Sequence, residues 1–208
     1  MESQTDATNF DFDSGDLSLD FANTLEWHAS DHPTEHLGDY LTLLSWGQAA
    51  GLIAPEKAAH LRRLASEQAD EAAAAYERAL RLREALFRIY SHHYHNEPVK
   101  PDDMQVLNAL LSQSLPHLKV VNSAEGFAWE WSGDVEDFNQ IIWQVARSSA
   151  DLMTSEQLSR VRVCEDDRGC GYLFIDTTRN HSRRWCSMES CGNRAKARRH
   201  YARQRLSP

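Results

Sequence analysis

The sequence predicts an α+β fold: a predominantly α-helical body with short strands and a hairpin, followed by a small four-cysteine module that ends in a basic helix. Three observations lead there. Asp70 to Tyr94 carries Ala72, Ala75, Tyr76, Ala79, Leu82, Leu86 and Ile89 at helical spacing. Leu118–Val121 and Phe127–Trp131, joined by Asn-Ser-Ala-Glu-Gly, have the pattern of a hairpin. All four cysteines fall after residue 163. The composition, 41% hydrophobic and 25% charged over 208 residues, suits one sizeable domain with or without a small added module. No run approaches the roughly 20 apolar residues of a membrane helix. The acidic start, Met1 to Gly15, lacks the apolar stretch of a secretory signal. A cytoplasmic protein without membrane contact is the expectation.

The elements follow in chain order. Phe10 to Leu19 reads as one or two short strands about a Ser14-Gly15 turn, and Leu19 to Trp27 as the start of a helix. Leu37 to Leu52 reads as a helix ending near Gly51. Pro55 suits the first turn of a helix reaching about Glu67, where its missing N–H costs nothing. Pro101 opens a helix through Leu111, and Pro116 stops any continuation. Trp129 and Trp131 share one face of their strand, as core or interface residues. Asp134 to Leu152 is a further amphipathic helix leading into the cysteine module. No repeat, low-complexity linker or Gly-rich phosphate loop interrupts this order.

The net charge of -9 speaks against a polyanionic partner until it is divided along the chain. Residues 160–208 hold 12 of the 22 Lys+Arg and 5 of the 31 Asp+Glu, so they carry +7 while residues 1–159 carry -16. The positive segment is also the one with Cys164, Cys170, Cys186 and Cys191, spaced C-x5-C-x15-C-x4-C. Four clustered thiols without an export signal suit a closed tetrahedral zinc site. The metal would staple a segment too short to fold on a core of its own. Buried free thiols and a redox or disulfide role are the alternatives. Gly171 to Asp176 reads as a short strand and Thr177 to Ser182 as a turn, with Tyr172, Phe174 and Trp185 covering the metal. Asn193 is placed to cap the final helix. There Arg194, Arg198 and Arg205 share a side with Tyr201, and Lys196, Arg199 and Arg203 share another.

Arg160 to Arg205 closely resembles the bacterial CGNR zinc-finger family. The resemblance rests on Cys191-Gly192-Asn193-Arg194, on the R-R-W-C-S run from Arg183 to Ser187, and on L-F-x-D from Leu173 to Asp176. Upstream, GDLSLDFANTL (Gly15 to Leu25) and RLREALFRIY (Arg81 to Tyr90) resemble the ABATE domain that usually precedes this finger. The resemblance implies a DNA-binding, stress-linked transcriptional regulator. The acidic loop of Glu165, Asp166 and Asp167 turns that side of the finger away from phosphate.

The functional expectation joins these readings. A finger stapled by one structural Zn2+ contacts DNA through Arg183, Arg184, Arg194, Lys196, Arg198, Arg199, Arg203 and Arg205. Such contacts supply affinity and salt dependence more than sequence choice. The acidic body senses a small-molecule effector, forms a homodimer, or both, and its charge could neutralise the finger. Asp20, Asn23 and Thr24 are candidate ligand-pocket residues, with helix capping as the plainer role. The alternative is a zinc-containing protein–protein adaptor without direct DNA binding, and a metal-dependent enzyme is a remote third. His28, His32 and His36 recur at helical spacing, but Pro33 interrupts them. His92, His93 and His95 crowd a helix end. Neither group has a catalytic motif beside it, so no enzymatic activity is expected.

Overall fold

The computed structural model describes residues 10–124, 126–132 and 137–206, with side chains as far as Arg198 and at Tyr201. The helix expected from Asp70 spans Ala69–Tyr94 (α4) and forms the spine of the molecule. Its 26 residues extend about 39 Å at the usual rise. Ala72, Ala75, Ala79, Leu82, Leu86 and Ile89 are buried, as their spacing requires. Around this face pack α1 (Leu17–Ala22), α2 (Tyr40–Ala49), α3 (Pro55–Glu67) and α6 (Gln140–Met153), with α5 (Pro101–Ser114) bridging α4 and α6. The alanines keep α4 slim where its neighbours approach. Polar ties then set the register of the bundle. The buried Tyr90 hydroxyl joins Ser18 of α1 at 2.8 Å and Ser149 of α6 at 3.1 Å. Arg83, also buried, forks onto both carboxylate oxygens of Glu35 at 2.6 and 2.7 Å. Among the described residues, no helix is long and apolar enough to cross a membrane.

The prolines place their helices as expected, because each sits at a position whose N–H has no intrahelical acceptor. At Pro116 the chain tightens into a 3-10 turn, Leu115–His117, before the hairpin begins. Elsewhere local hydrogen bonding overrides the expectation. Phe10 to Ser14 forms no strand. Ser14 instead accepts one backbone bond from Ile175 at 2.8 Å, Gly15 turns the chain at φ +94°, and Asp16 caps α1 by accepting from the Ser18 amide at 2.8 Å. The second helix starts at Tyr40, later than Leu37, because Asp39 caps it by accepting from the Thr42 amide. The helix expected from Asp134 begins at Gln140, and 133–136 lie outside the described residues.

Three separate antiparallel pairs complete the fold. β1 (Leu25–Glu26) pairs with β2 (Thr34–Glu35). β3 (Leu118–Ser123) pairs with β4 (Gly126–Trp131) in the expected hairpin. Its tryptophans part company: Trp131 packs toward Trp143 at 6.4 Å, whereas Trp129 is 59% exposed beneath the Arg147 guanidinium. The third pair, β5 (Val161–Val163) with β6 (Leu173–Ile175), belongs to the cysteine-rich segment. Yet Val161, Val163, Leu173 and Ile175 are buried in the same core as Leu19, Leu82 and Val145. Covalently late residues thus finish the core of the body.

Candidate metal centre and its basic helix

β5 delivers Cys164, and the turn after it returns the chain through Cys170 to β6. Gly169 and Gly171 carry that turn at φ +86° and +66°, and a Cβ on Gly169 would lie 2.5 Å from the Ala29 carbonyl oxygen. No side chain fits there. Cys186 lies just ahead of a π-helical turn, Met188–Gly192, which carries Cys191 and runs directly into α7 (Asn193–Leu206). Its cap is Ser187, whose hydroxyl accepts from the Ser190 amide at 3.3 Å. The cap expected at Asn193 therefore falls six residues earlier, at Ser187, because the π-turn already supplies helical backbone ahead of Asn193. Asn193 lies inside the helical run, and its side-chain amide donates to Glu189 O.

The ligand sulfurs of Cys164, Cys170, Cys186 and Cys191 all lie within 4.8 Å of one another. Cys170 and Cys186 are 3.8 Å apart, and Cys186 and Cys191 3.7 Å. Those are thiol separations, far beyond the roughly 2.05 Å of a disulfide. They match the edge of about 3.8 Å in a tetrahedron of ~2.3 Å zinc–sulfur bonds. Three of the four cysteines are buried, and Cys186 is half-buried. Phe174, Tyr172 and Trp185 close over them as expected, together with Trp27 from the body. Arg194 donates to Cys191 Sγ at 3.1 Å, a contact that favours a thiolate. Hydrogen bonds from Cys170 and Cys186 hold the Cys164 thiol far down, at about 2, while its pairing with Cys164 pushes Cys170 up to about 12. A divalent metal held by all four sulfurs would displace the remaining thiol protons. Zinc there would act as a structural crosslink between the β5–β6 turn and the start of α7.

The expected DNA-binding arginines divide by what they touch. Arg183 donates to the carbonyls of Trp185 (3.0 Å) and Cys186, with its guanidinium 4.5 Å from the Phe174 ring centroid. Arg184 pairs with Glu165 at 2.5 Å. Asp166, 4% exposed, is met by Arg168 at 3.1 Å, Arg198 at 3.4 Å and Arg194 at 3.6 Å. Arg198 also pairs with Asp167. Burial alone would raise the Asp166 carboxyl, but its hydrogen bonds from Arg168 hold it well below the usual range. The acidic loop is therefore the clamp for one side of α7. Lys196 is exposed. The side chains of Arg199, Arg203 and Arg205 lie outside the described residues.

Asp20, Asn23 and Thr24 come together along a cleft of 430 Å³ between the body and the cysteine module. Each also has a structural bond. Asp20 accepts from the Ser14 amide at 3.1 Å, and Thr24 donates to Phe21 O at 2.7 Å. Asn23 clamps β6, donating to Leu173 O at 2.9 Å and accepting from Leu173 N at 2.8 Å. Asp176, wholly buried, orders the turn after β6 by accepting from Thr178 N at 2.9 Å and Arg183 N at 2.9 Å. Sequence reasoning missed the Asn23 clamp, the Trp27 cover and the arginine cluster on Asp166. Each joins residues whose only signal was a polar or aromatic side chain inside a recognisable motif.

A comparison with protein families matches residues 15–156 to ABATE, described as "Putative stress-induced transcription regulator". That span is more than half of the chain. The chain belongs to the ABATE family. Residues 160–204 match the CGNR zinc finger, so the finger of this ABATE chain has four cysteines positioned for one structural zinc. No curated protein matches the sequence. Both matched families are of regulator or zinc-finger type rather than enzyme families. The histidines of this ABATE chain serve separate contacts. His28 stacks on Phe87 with centroids 3.5 Å apart, His36 meets Glu26 at 3.2 Å, and His92 meets the Pro98 carbonyl at 3.1 Å.

Proposed function

We propose that this ABATE protein is a cytoplasmic, DNA-binding transcriptional regulator whose body senses a small effector, forms a homodimer, or both. The observation that carries the reading is the charge split, +7 in residues 160–208 against -16 before them, with the positive part organised on a metal-stapled helix. The arginine clamp refines it. With Arg194 and Arg198 turned to Asp166, the opposite helical face, that of Lys196, Arg199 and Arg203, is the one for phosphate. By helical spacing alone Arg205 falls on the side of Arg194 and Arg198, and Arg183 and Arg184 support the metal loop.

The test is binding of full-length, zinc-loaded protein to duplex DNA across a salt series. Three phosphate contacts give a log–log salt slope of about -2.7. Replacing Lys196, Arg199 and Arg203 together by Ala should remove most of that slope, whereas Arg194→Ala should leave it in place. Absence of binding at low ionic strength defeats the reading. The full chain is the proper material, because β5 and β6 lie in the body's core. The adaptor reading has one observation in its favour: Val120, Phe127 and Trp129, on one face of the β3–β4 hairpin, are 56%, 85% and 59% exposed. Protein capture through that face without any DNA affinity would favour it.

A further inference from the structure

The cleft between body and finger carries a ligand class, and this step rests on the sensing half of the proposal above. At 430 Å³ it falls in the range of small-molecule sites. Its walls combine two chemistries. Beside the thiols of Cys170, Cys186 and Cys191, Phe10, Trp27 and Tyr172 supply aromatic surface, while Asp11, Asp13 and Asp20 supply carboxylates. The cationic side chains lining the same space are already engaged, His36 with Glu26 at 3.2 Å and Arg194 with Asp166 at 3.6 Å. Among the described residues, the three aspartates have no cationic partner. Asp20 is 6% exposed, and burial raises its carboxyl to about 6. A carboxylate desolvated in this way gains from a cation placed beside it.

Trp46 is an independent sign. It is wholly buried and lines the cleft, and its indole Nε1–H has no hydrogen-bond partner. A buried indole ordinarily finds one. The ligand should therefore offer an acceptor oxygen. A metal ion fits these carboxylates poorly. Among the described residues, only the four cysteines bring three or more ligand atoms of His, Cys, Asp or Glu together. Dispersed carboxylates among aromatic faces suit a diffuse organic cation instead.

We propose that the cleft binds a small organic ammonium bearing a hydrogen-bond-accepting oxygen, of the amino-alcohol or quaternary-ammonium-alcohol type. Choline titrated into the zinc-loaded full-length protein at neutral pH tests this, by tryptophan fluorescence and calorimetry. Saturable binding is expected, with neohexyl alcohol, the uncharged carbon isostere, at least about tenfold weaker. Asp20→Asn should weaken choline binding by a similar factor, and removing the buried charge should leave that variant folded. Trp46→Phe should weaken choline but leave tetramethylammonium, which has no oxygen, unchanged. No saturable choline binding, equal binding of the isostere, or indifference to Asp20→Asn overturns the proposal. Binding of a neutral or anionic molecule in its place would overturn the ligand class and leave the sensing reading standing. Failure of the DNA assay would defeat the regulator reading without touching this site.

Discussion

The main core draws Leu, Ile, Trp and Tyr side chains from all six helices of the body, whereas the second cluster is three buried cysteines and Phe174 under an aromatic cover. The first can fold on burial of apolar surface. The second is too small for that and depends on its metal. β6 is the wall between them. Its alternation turns Leu173 and Ile175 into the main core and Phe174 into the cysteine cluster. Asn23 fastens the same strand to the body by two backbone bonds. A segment that reads as a separate finger is therefore half built into its neighbour.

Zinc removal is the sharpest way to separate the clusters. A structural zinc contributes on the order of 10 kcal/mol. Chelation should expose the turn from Cys164 to Cys170 and the chain after Asp176 to proteolysis while β6 and the helical circular dichroism of the body persist. Simultaneous loss of both would merge the two clusters into one cooperative unit. Leu173→Ala comes next, with a cost of about 2–5 kcal/mol for a buried leucine. Because Leu173 sits on the shared wall, denaturant unfolding should shift and zinc release to a chromogenic chelator should quicken. Phe174→Ala should quicken zinc release with the smaller effect on the body. An unchanged release rate in Leu173→Ala would break the shared-wall interpretation.

The smallest effect concerns the cleft. Burial raises the Asp20 carboxyl to about 6, so the folded state holds a proton that the unfolded chain gives up at lower pH. That contribution favours the fold under acid conditions and is lost as pH rises through about 6. Asp20→Asn escapes the loss. Its gain in thermal stability over the parent, on the order of 1 kcal/mol, should be greater at neutral pH than in mild acid. A gain independent of pH would mean that Asp20 is compensated by a partner.

Legibility in the sequence followed the range of the interaction. α3 and α5 start at Pro55 and Pro101 because proline acts through its own φ and its missing N–H. The register of α4 follows from apolar spacing, and the metal ligands from four thiols in one short segment. The strands expected in Phe10 to Leu19 failed because Asp16 captured the Ser18 amide and started a helix. Asn193 lost its expected cap position because Ser187 initiates helical backbone earlier.

By itself, then, the sequence determined the helical body, the four-thiol site and the division of charge, all of which act through neighbours in the chain or through bulk composition. Only tertiary structure decided that Asn23 holds β6, that Trp27 covers the cysteines, and that Asp166 turns Arg194 and Arg198 away from the solvent-facing side of α7. Asn23 and Leu173 are 150 positions apart. Their pairing, like the cleft it borders, exists only once burial in the common core has brought both strands of the finger against the body.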